Sequence, residues 1–242
     1  MKALDTAARV VGATTLAVLL AAAGLLACCL RPTTLVLAQA TSNDAASPYG
    51  EDALAGLAVL TRDYTVDGKD RAATLDAIAQ AAGDVAPSVA NASDKAAALA
   101  RLGERYTLTD DALDHLDDVN RVLAAARTAL AVCALACAAA LAHVGVRCGA
   151  KALGGVLRAA ALGVIAAFSA CAIWVALDFN GFFAAFHSLF FASGTWTFSW
   201  DSLLICMYPP EFWMGMGAVW LAVTVAACAA CLIMGRLLRK RA

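Results

Sequence analysis

Four apolar runs decide what this chain can fold into. Residues 10–30, 128–146, 152–177 and 212–235 each approach or exceed the roughly 20 helical residues that cross about 30 Å of hydrocarbon. A soluble domain of 242 residues would carry more than 15% charged residues and would not need such runs. The runs are rich in Ala and Gly, and Gly154, Gly155, Gly163, Gly215 and Gly217 are expected to let helices approach closely.

Charge orients the runs. Lys2 and Arg9, then Arg147, Lys151 and Arg158, then Arg236, Arg239, Lys240 and Arg241 carry the basic bias, opposed only by Asp5. The positive-inside rule makes those three segments cytoplasmic. Residues 31–120 hold fifteen Asp and Glu against seven Lys and Arg, and 178–211 hold three acids and no base, so both face outward. The predicted fold is an all-α integral membrane protein with four transmembrane helices. In order these are a cytoplasmic N-terminus (1–9), a first span (10–30), an extracytoplasmic helical domain (31–127), a second span (128–146) and a cytoplasmic loop (147–151). A third span (152–177), an extracytoplasmic aromatic interfacial segment (178–211), a fourth span (212–235) and a basic cytoplasmic tail (236–242) follow. Lys2, Arg9 and the Leu25–Cys28 stretch LLAC resemble a signal peptide with a lipoprotein cleavage box, but the run is long and Leu26 is bulky for that box, so a retained span is expected.

The aromatic segment is unusual in composition. It holds seven of the nine Phe, two of the five Trp and one of the three His, and Gly194, Asp201 and the Pro209-Pro210 pair interrupt it. Rings with polar edges concentrate at membrane surfaces. On a helix His187 would be flanked by Phe183 and Phe191 at i−4 and i+4.

Residues 31–48 read as an extended link with Pro near both ends. Leu54, Leu57, Leu60 and Tyr64 follow a helical period, Asp67-Gly68 makes a turn, and the Ala-rich stretch 69–105 reads as a peripheral helical insert broken near Pro87. Thr109 is a predicted N-cap for a helix that runs on into span two. His115 lies on that helix with Asp118 on the same face, where a carboxylate could hold the ring. The spacing alone favours an exposed helix with a solvated charge cluster. His143, near the cytoplasmic end of span two, is read as a satisfied interhelical histidine. Most of the nine cysteines lie inside spans, and the Cys228–Cys231 CAAC is read as small packing residues. No HExxH, GxSxG or phosphate-binding glycine loop is present.

Two segments carry a family resemblance. D-H-L-D-D-V at 114–119 and F-H-S-L-F-F at 186–191, the latter followed by Trp196, Asp201, Leu204-Ile205 and Glu211-Phe212, resemble the bacterial lipoprotein intramolecular transacylase (Lit) family, with four spans in matching order. Ser193-Gly194-Thr195 departs from the Asn/Asp-rich stretch expected before Trp196, and 65–105 is longer than expected. The resemblance implies an enzyme of the bacterial cytoplasmic membrane, with its site on the outer face. It would move the sn-2 acyl chain of a diacylglyceryl-cysteine lipoprotein onto that cysteine's own amine. His115 and His187 would be the acid/base residues, with Asp118 orienting His115 and Asp201 orienting His187. Phe183, Phe186, Phe190, Phe191 and Trp196 would bind acyl chains. A covalent acyl-histidine is a further route.

Histidine suits both proton transfers, because its pKa lies near working pH. Ester-to-amide exchange runs downhill, so no nucleotide, metal or other cofactor is expected; nor is a nucleic-acid partner. A zinc site from His115, Asp118 and His187 has only one sequence-local pair behind it. The competing reading is a non-catalytic membrane interaction or assembly protein presenting its acidic outer helices to a partner. Oligomeric state is left open.

Overall fold

A computed structural model describes residues 2–240, the side chain of residue 96 excepted. Arg241 of the expected basic tail lies outside the described residues, as do residues 1 and 242. All regular structure among the described residues is helical. The helices are α1 (Lys2–Cys28), α2 (Arg31–Thr41), α3 (Glu51–Asp67), α4 (Arg71–Val85), α5 (Pro87–Ala90), α6 (Lys95–Leu102), α7 (Asp110–Leu177), α8 (Phe179–Ser188), α9 (Leu203–Met207) and α10 (Pro210–Lys240). Of these, α1, α7 and α10 are long and apolar enough to cross a membrane. Within α7, Gly149 has φ 80° and ψ 172°, so α7 is two helices joined end to end. The break falls inside the expected 147–151 link, at a residue that adopts positive φ without a Cβ penalty.

The chain forms two compact units. The first comprises residues 2–27, 125–184 and 218–240. Lipid tails are as apolar as leucine, so helix association here relies on close packing and interhelical hydrogen bonds. Leu20, Ala160, Ala161, Val164 and Cys228 form a buried cluster. A Cβ added at Gly24 would run into the Trp220 ring and lie 2.5 Å from the Trp220 carbonyl oxygen, and the Trp220 indole donates to the Ala21 carbonyl at 2.8 Å. Gly154 meets Gly235 backbone to backbone, with an added Cβ only 2.6 Å from the Gly235 carbonyl oxygen. Gly155 and Gly163, expected to mediate such contacts, face open space. His143 is satisfied by Asp5 at 2.9 Å. Gly24→Leu is expected to cost about 1–3 kcal/mol by overpacking. Gly163→Leu should stay within about 0.5 kcal/mol of the parent. Thermal unfolding in detergent compares the two, and equal effects would overturn the assignment.

The second unit comprises residues 28–124 and 185–217. Its core is built from Tyr49, Leu54, Ile78, Leu99, Leu113, Leu203, Met207 and Phe212. Two sequence expectations need correction here. Residues 31–41 form a helix rather than an extended link, because Pro32 sits in its first turn, where a missing N–H costs nothing. The 69–105 insert is not peripheral: Ile78, Ala82, Val89 and Leu99 are fully or almost fully buried in the core. The Gly68 cap of α3 is left-handed, as the Asp67-Gly68 turn predicts, and Asp70 and Asp94 cap α4 and α6 by accepting from Ala73 and Ala97. Of the aromatic segment, residues 179–188 are helical and the chain is irregular from there to α9, with Gly194 at φ 88°.

One buried acid ties this unit together. Asp63 has a side chain 2% exposed, and it faces Arg62 Nη1 at 2.9 Å, Lys69 Nζ at 2.9 Å and Arg31 Nε at 3.3 Å. Arg62 also donates Nε to the Cys29 carbonyl at 2.8 Å, which fixes the start of the unit to α3. Burial works to raise the Asp63 pKa, but the hydrogen bonds from Lys69 and Arg62 and the charge of Arg31 outweigh it, so the carboxyl titrates below its ordinary range.

Candidate active site

His115 lies one and a half turns into α7. Thr109 starts that helix by accepting the Ala112 N–H at 3.3 Å, as its N-cap position predicts. Ala112, Leu113 and Leu116 are buried, and this apolar face turns His115 inward with them. His187 occupies the last turn of α8. The two histidines are far apart in sequence, yet each is only 9% exposed and both enter one cluster within the second unit. Their ring centroids are 6.3 Å apart with planes inclined by 28°.

Aromatic rings wall the pair. Phe191 meets His115 edge to face at 4.8 Å and His187 at 5.8 Å. Trp196 lies 4.8 Å from His187, Phe198 lies 5.8 Å from His115, and Phe186 meets His187 edge-on at 5.8 Å. Phe190 packs on Phe186 and, with Leu189, leads from the histidines to the exterior of the unit. Phe183 sits one turn before His187 and packs on Phe179. The ring Nδ1 of His115 is buried without a hydrogen-bond partner among the described residues. Burial, and then the neighbouring His187, push the His115 pKa down to about 4. His115 is therefore a neutral imidazole at physiological pH.

The two expected carboxylate partners are engaged elsewhere. Asp118 pairs with Arg121, one turn further along α7, and no hydrogen bond joins it to His115. Asp201 accepts from Ser199 Oγ at 3.0 Å and faces Arg105 Nε at 3.6 Å, with no bond to His187. The donor set His115, Asp118 and His187 is accordingly not assembled, and no group of three metal-ligating side chains occurs among the described residues. The neighbouring Asp117, rather than Asp118, holds a buried partner: it accepts from the Tyr64 hydroxyl, whose pKa is raised to about 12 by burial and by that carboxylate. Arg71 joins Asp110, Asp114 and Asp117 alongside it.

Phe198 was not among the expected site residues. Its signal is the W-T-F-S-W pattern at 196–200, since i, i+2 spacing in an irregular or extended stretch puts Trp196 and Phe198 on one side.

The family model for lipoprotein intramolecular transacylase Lit matches residues 91–213, half of the chain, a stretch that includes both histidines and every ring that walls them. The chain belongs to this family. The Lit fold extends beyond the matched stretch. The structure of the membrane-integral lipoprotein intramolecular transacylase Lit from Bacillus cereus superposes with a TM-score of 0.75 at 15% identity, covering 100% of this chain and 98% of that one. Two structures of the same Lit protein, with one histidine replaced by arginine or by alanine, each give a TM-score of 0.70 at 15% identity. They cover 99% of this chain and, respectively, 94% and 96% of theirs. No curated protein matches the chain significantly. Lit enzymes are acyltransferases, so this Lit family member is an enzyme and not solely an interaction protein.

Proposed function

We propose that this Lit family member moves the sn-2 acyl chain of a diacylglyceryl-cysteine lipoprotein onto the α-amine of the same cysteine, leaving an N-acyl, S-monoacylglyceryl lipoprotein. The observation that carries the reading is the convergence of His115 and His187 into one buried, aromatic-walled cluster. The amine nitrogen attacks the sn-2 ester carbonyl, an N–C bond forms, and the C–O bond to glycerol breaks. One proton leaves the amine and one reaches the glycerol oxygen, so a single shuttle balances the reaction. His187 performs that shuttle as base and then acid. His115, held neutral, donates a hydrogen bond to the oxyanion that develops on the carbonyl. Neither role needs a direct bond from Asp118 or Asp201, whose carboxylates pair with Arg121 and Arg105.

Phe186, Phe190, Phe191 and Trp196 supply an apolar approach for acyl chains. Donor and acceptor belong to one molecule, which supplies proximity without a second binding site. The free amine has a pKa of about 8, so a modest fraction is unprotonated and ready to attack at neutral pH.

The same reading places the protein in the bacterial cytoplasmic membrane with four spans. Splitting α7 at Gly149 divides its apolar length between the second and third. Both termini and the Gly149 corner carry the basic residues and face the cytoplasm, so the histidine cluster faces outward.

Mass spectrometry of a lipoprotein N-terminal peptide tests the function. Co-expression in a host that makes the diacyl form is expected to yield an N-acyl, S-monoacylglyceryl peptide of unchanged total mass. A peptide still carrying both ester-linked chains, with the protein inserted and folded, would return the weight to a binding role.

A further inference from the structure

The stretch 196–202 carries Trp196 onto His187 and Phe198 onto His115, yet it has no regular secondary structure to hold it. Its attachments are specific. Leu203, fully buried, donates its N–H to the Glu104 carbonyl at 2.7 Å. Ser202 Oγ donates to the Ser199 carbonyl at 2.7 Å, and Ser199 Oγ donates to Asp201 at 3.0 Å, which curls the stretch around the Asp201 carboxylate. The other Asp201 oxygen faces Arg105 Nε at 3.6 Å. Arg105 in turn donates Nη2 to the Ala46 carbonyl at 2.8 Å. Arg105 therefore ties together three separate pieces of chain: the turn before α3, its own approach to α7 (the helix that carries His115), and the stretch that walls both imidazoles.

We propose that Arg105, acting through Asp201, is a positioning residue for the transacylation. It holds 196–202 in register, so that Trp196 and Phe198 set the orientation of His187 and His115. This rests on the histidine reading above and adds a residue that touches neither ring. A guanidinium suits the task because its planar fork serves a carboxylate and a carbonyl at once, which a lysine ammonium does less well. Arg105 is half exposed and its contact with Asp201 is long at 3.6 Å, so the pair's contribution to stability is small. Its effect should therefore be seen in turnover and not in folding.

The experiment uses the full-length protein in detergent with a synthetic diacylglyceryl-cysteine peptide. Arg105→Gln and Asp201→Asn are each expected to lower kcat by about tenfold, as a misplaced imidazole would. KM should stay within about twofold, because Phe186, Phe190 and Phe191 still line the acyl-chain approach although Trp196 shifts, and the thermal midpoint should not move. The double variant should be no worse than either single, since both remove one interaction. Parental kcat in Arg105→Gln would overturn the proposal, as would a loss carried by KM or by a smaller folded fraction. His187→Ala is run alongside. If it stays active, the histidine reading itself fails. If it is inactive while Arg105→Gln turns over like the parent, only the positioning role is lost.

Discussion

Replacing His187 with alanine is expected to abolish formation of the lyso product while the protein remains folded and membrane-bound. A positioned proton shuttle contributes about 10²–10⁴ in rate. The surrounding rings of Phe186, Phe191 and Trp196 exchange no protons at neutral pH, and His115 is committed to the oxyanion. His115→Ala is expected to cost about 10²–10³, the range for loss of one oxyanion donor. The two histidines differ in what rescues them. If His115 acts as a neutral donor, a glutamine amide reaching to about the same depth should recover part of the loss. No such recovery is expected for His187→Gln, which cannot cycle a proton. Turnover of a diacylglyceryl-cysteine peptide by the four variants, normalised to folded protein, checks this. Full activity in both alanine variants would remove the mechanism. Recovery at His187 and not at His115 would exchange the two roles.

The histidines were legible in sequence because each sits in a short, dense motif, and spacing put Phe191 beside His187. The burial of His115 was not: its spacing favoured an exposed helix, and its walls, Phe191 and Phe198, come from far along the chain. The partners of the two histidines were not legible either. His115 and Asp118 share a helical face at i, i+3, but Arg121 stands at the same spacing beyond Asp118 and is flexible enough to capture it. Spacing identifies a face and does not rank the partners that compete for one carboxylate. Asp201 shows the same limit across long range, since Arg105 lies almost a hundred residues away in the chain. Among the elements, the long apolar helices and the Thr109 and Gly68 caps follow directly from local chemistry. The helix at 31–41 was concealed by Pro32, which ends helices in the interior but starts them in the first turn. The insert at 69–105 looked peripheral because alanine buries little area per residue. A few larger residues, Ile78, Val89 and Leu99, nevertheless reach the core.

Asp63 is one acid among many on an acidic segment of sequence, yet its removal is expected to give the largest loss of stability in the second unit. Its carboxylate lies among Arg31, Arg62 and Lys69, and Arg62 is itself only 11% exposed. Breaking a buried pair by removing one partner typically costs about 3–5 kcal/mol, because the remaining charge stays buried without compensation. Asp63→Ala should fall in that range, moderated by the bond that Arg62 keeps to Asp67. Asp63→Asn keeps the volume and one acceptor and should cost less. The pH dependence separates charge from packing. The folded-state pKa of Asp63 is depressed, so its contribution is complete above the unfolded value of about 3.9 and is lost as pH falls through the folded value. Thermal unfolding in detergent between about pH 3 and 7 should therefore show the parent losing stability below about pH 4. Asp63→Asn should lack this component, starting lower and falling less. Parallel curves for parent and Asp63→Asn would refute the electrostatic account and leave packing as the cause. Activity gives a second discriminant. Asp63 touches neither imidazole, so turnover per folded molecule should be preserved in Asp63→Asn, whereas the histidine variants lose turnover with the fold intact.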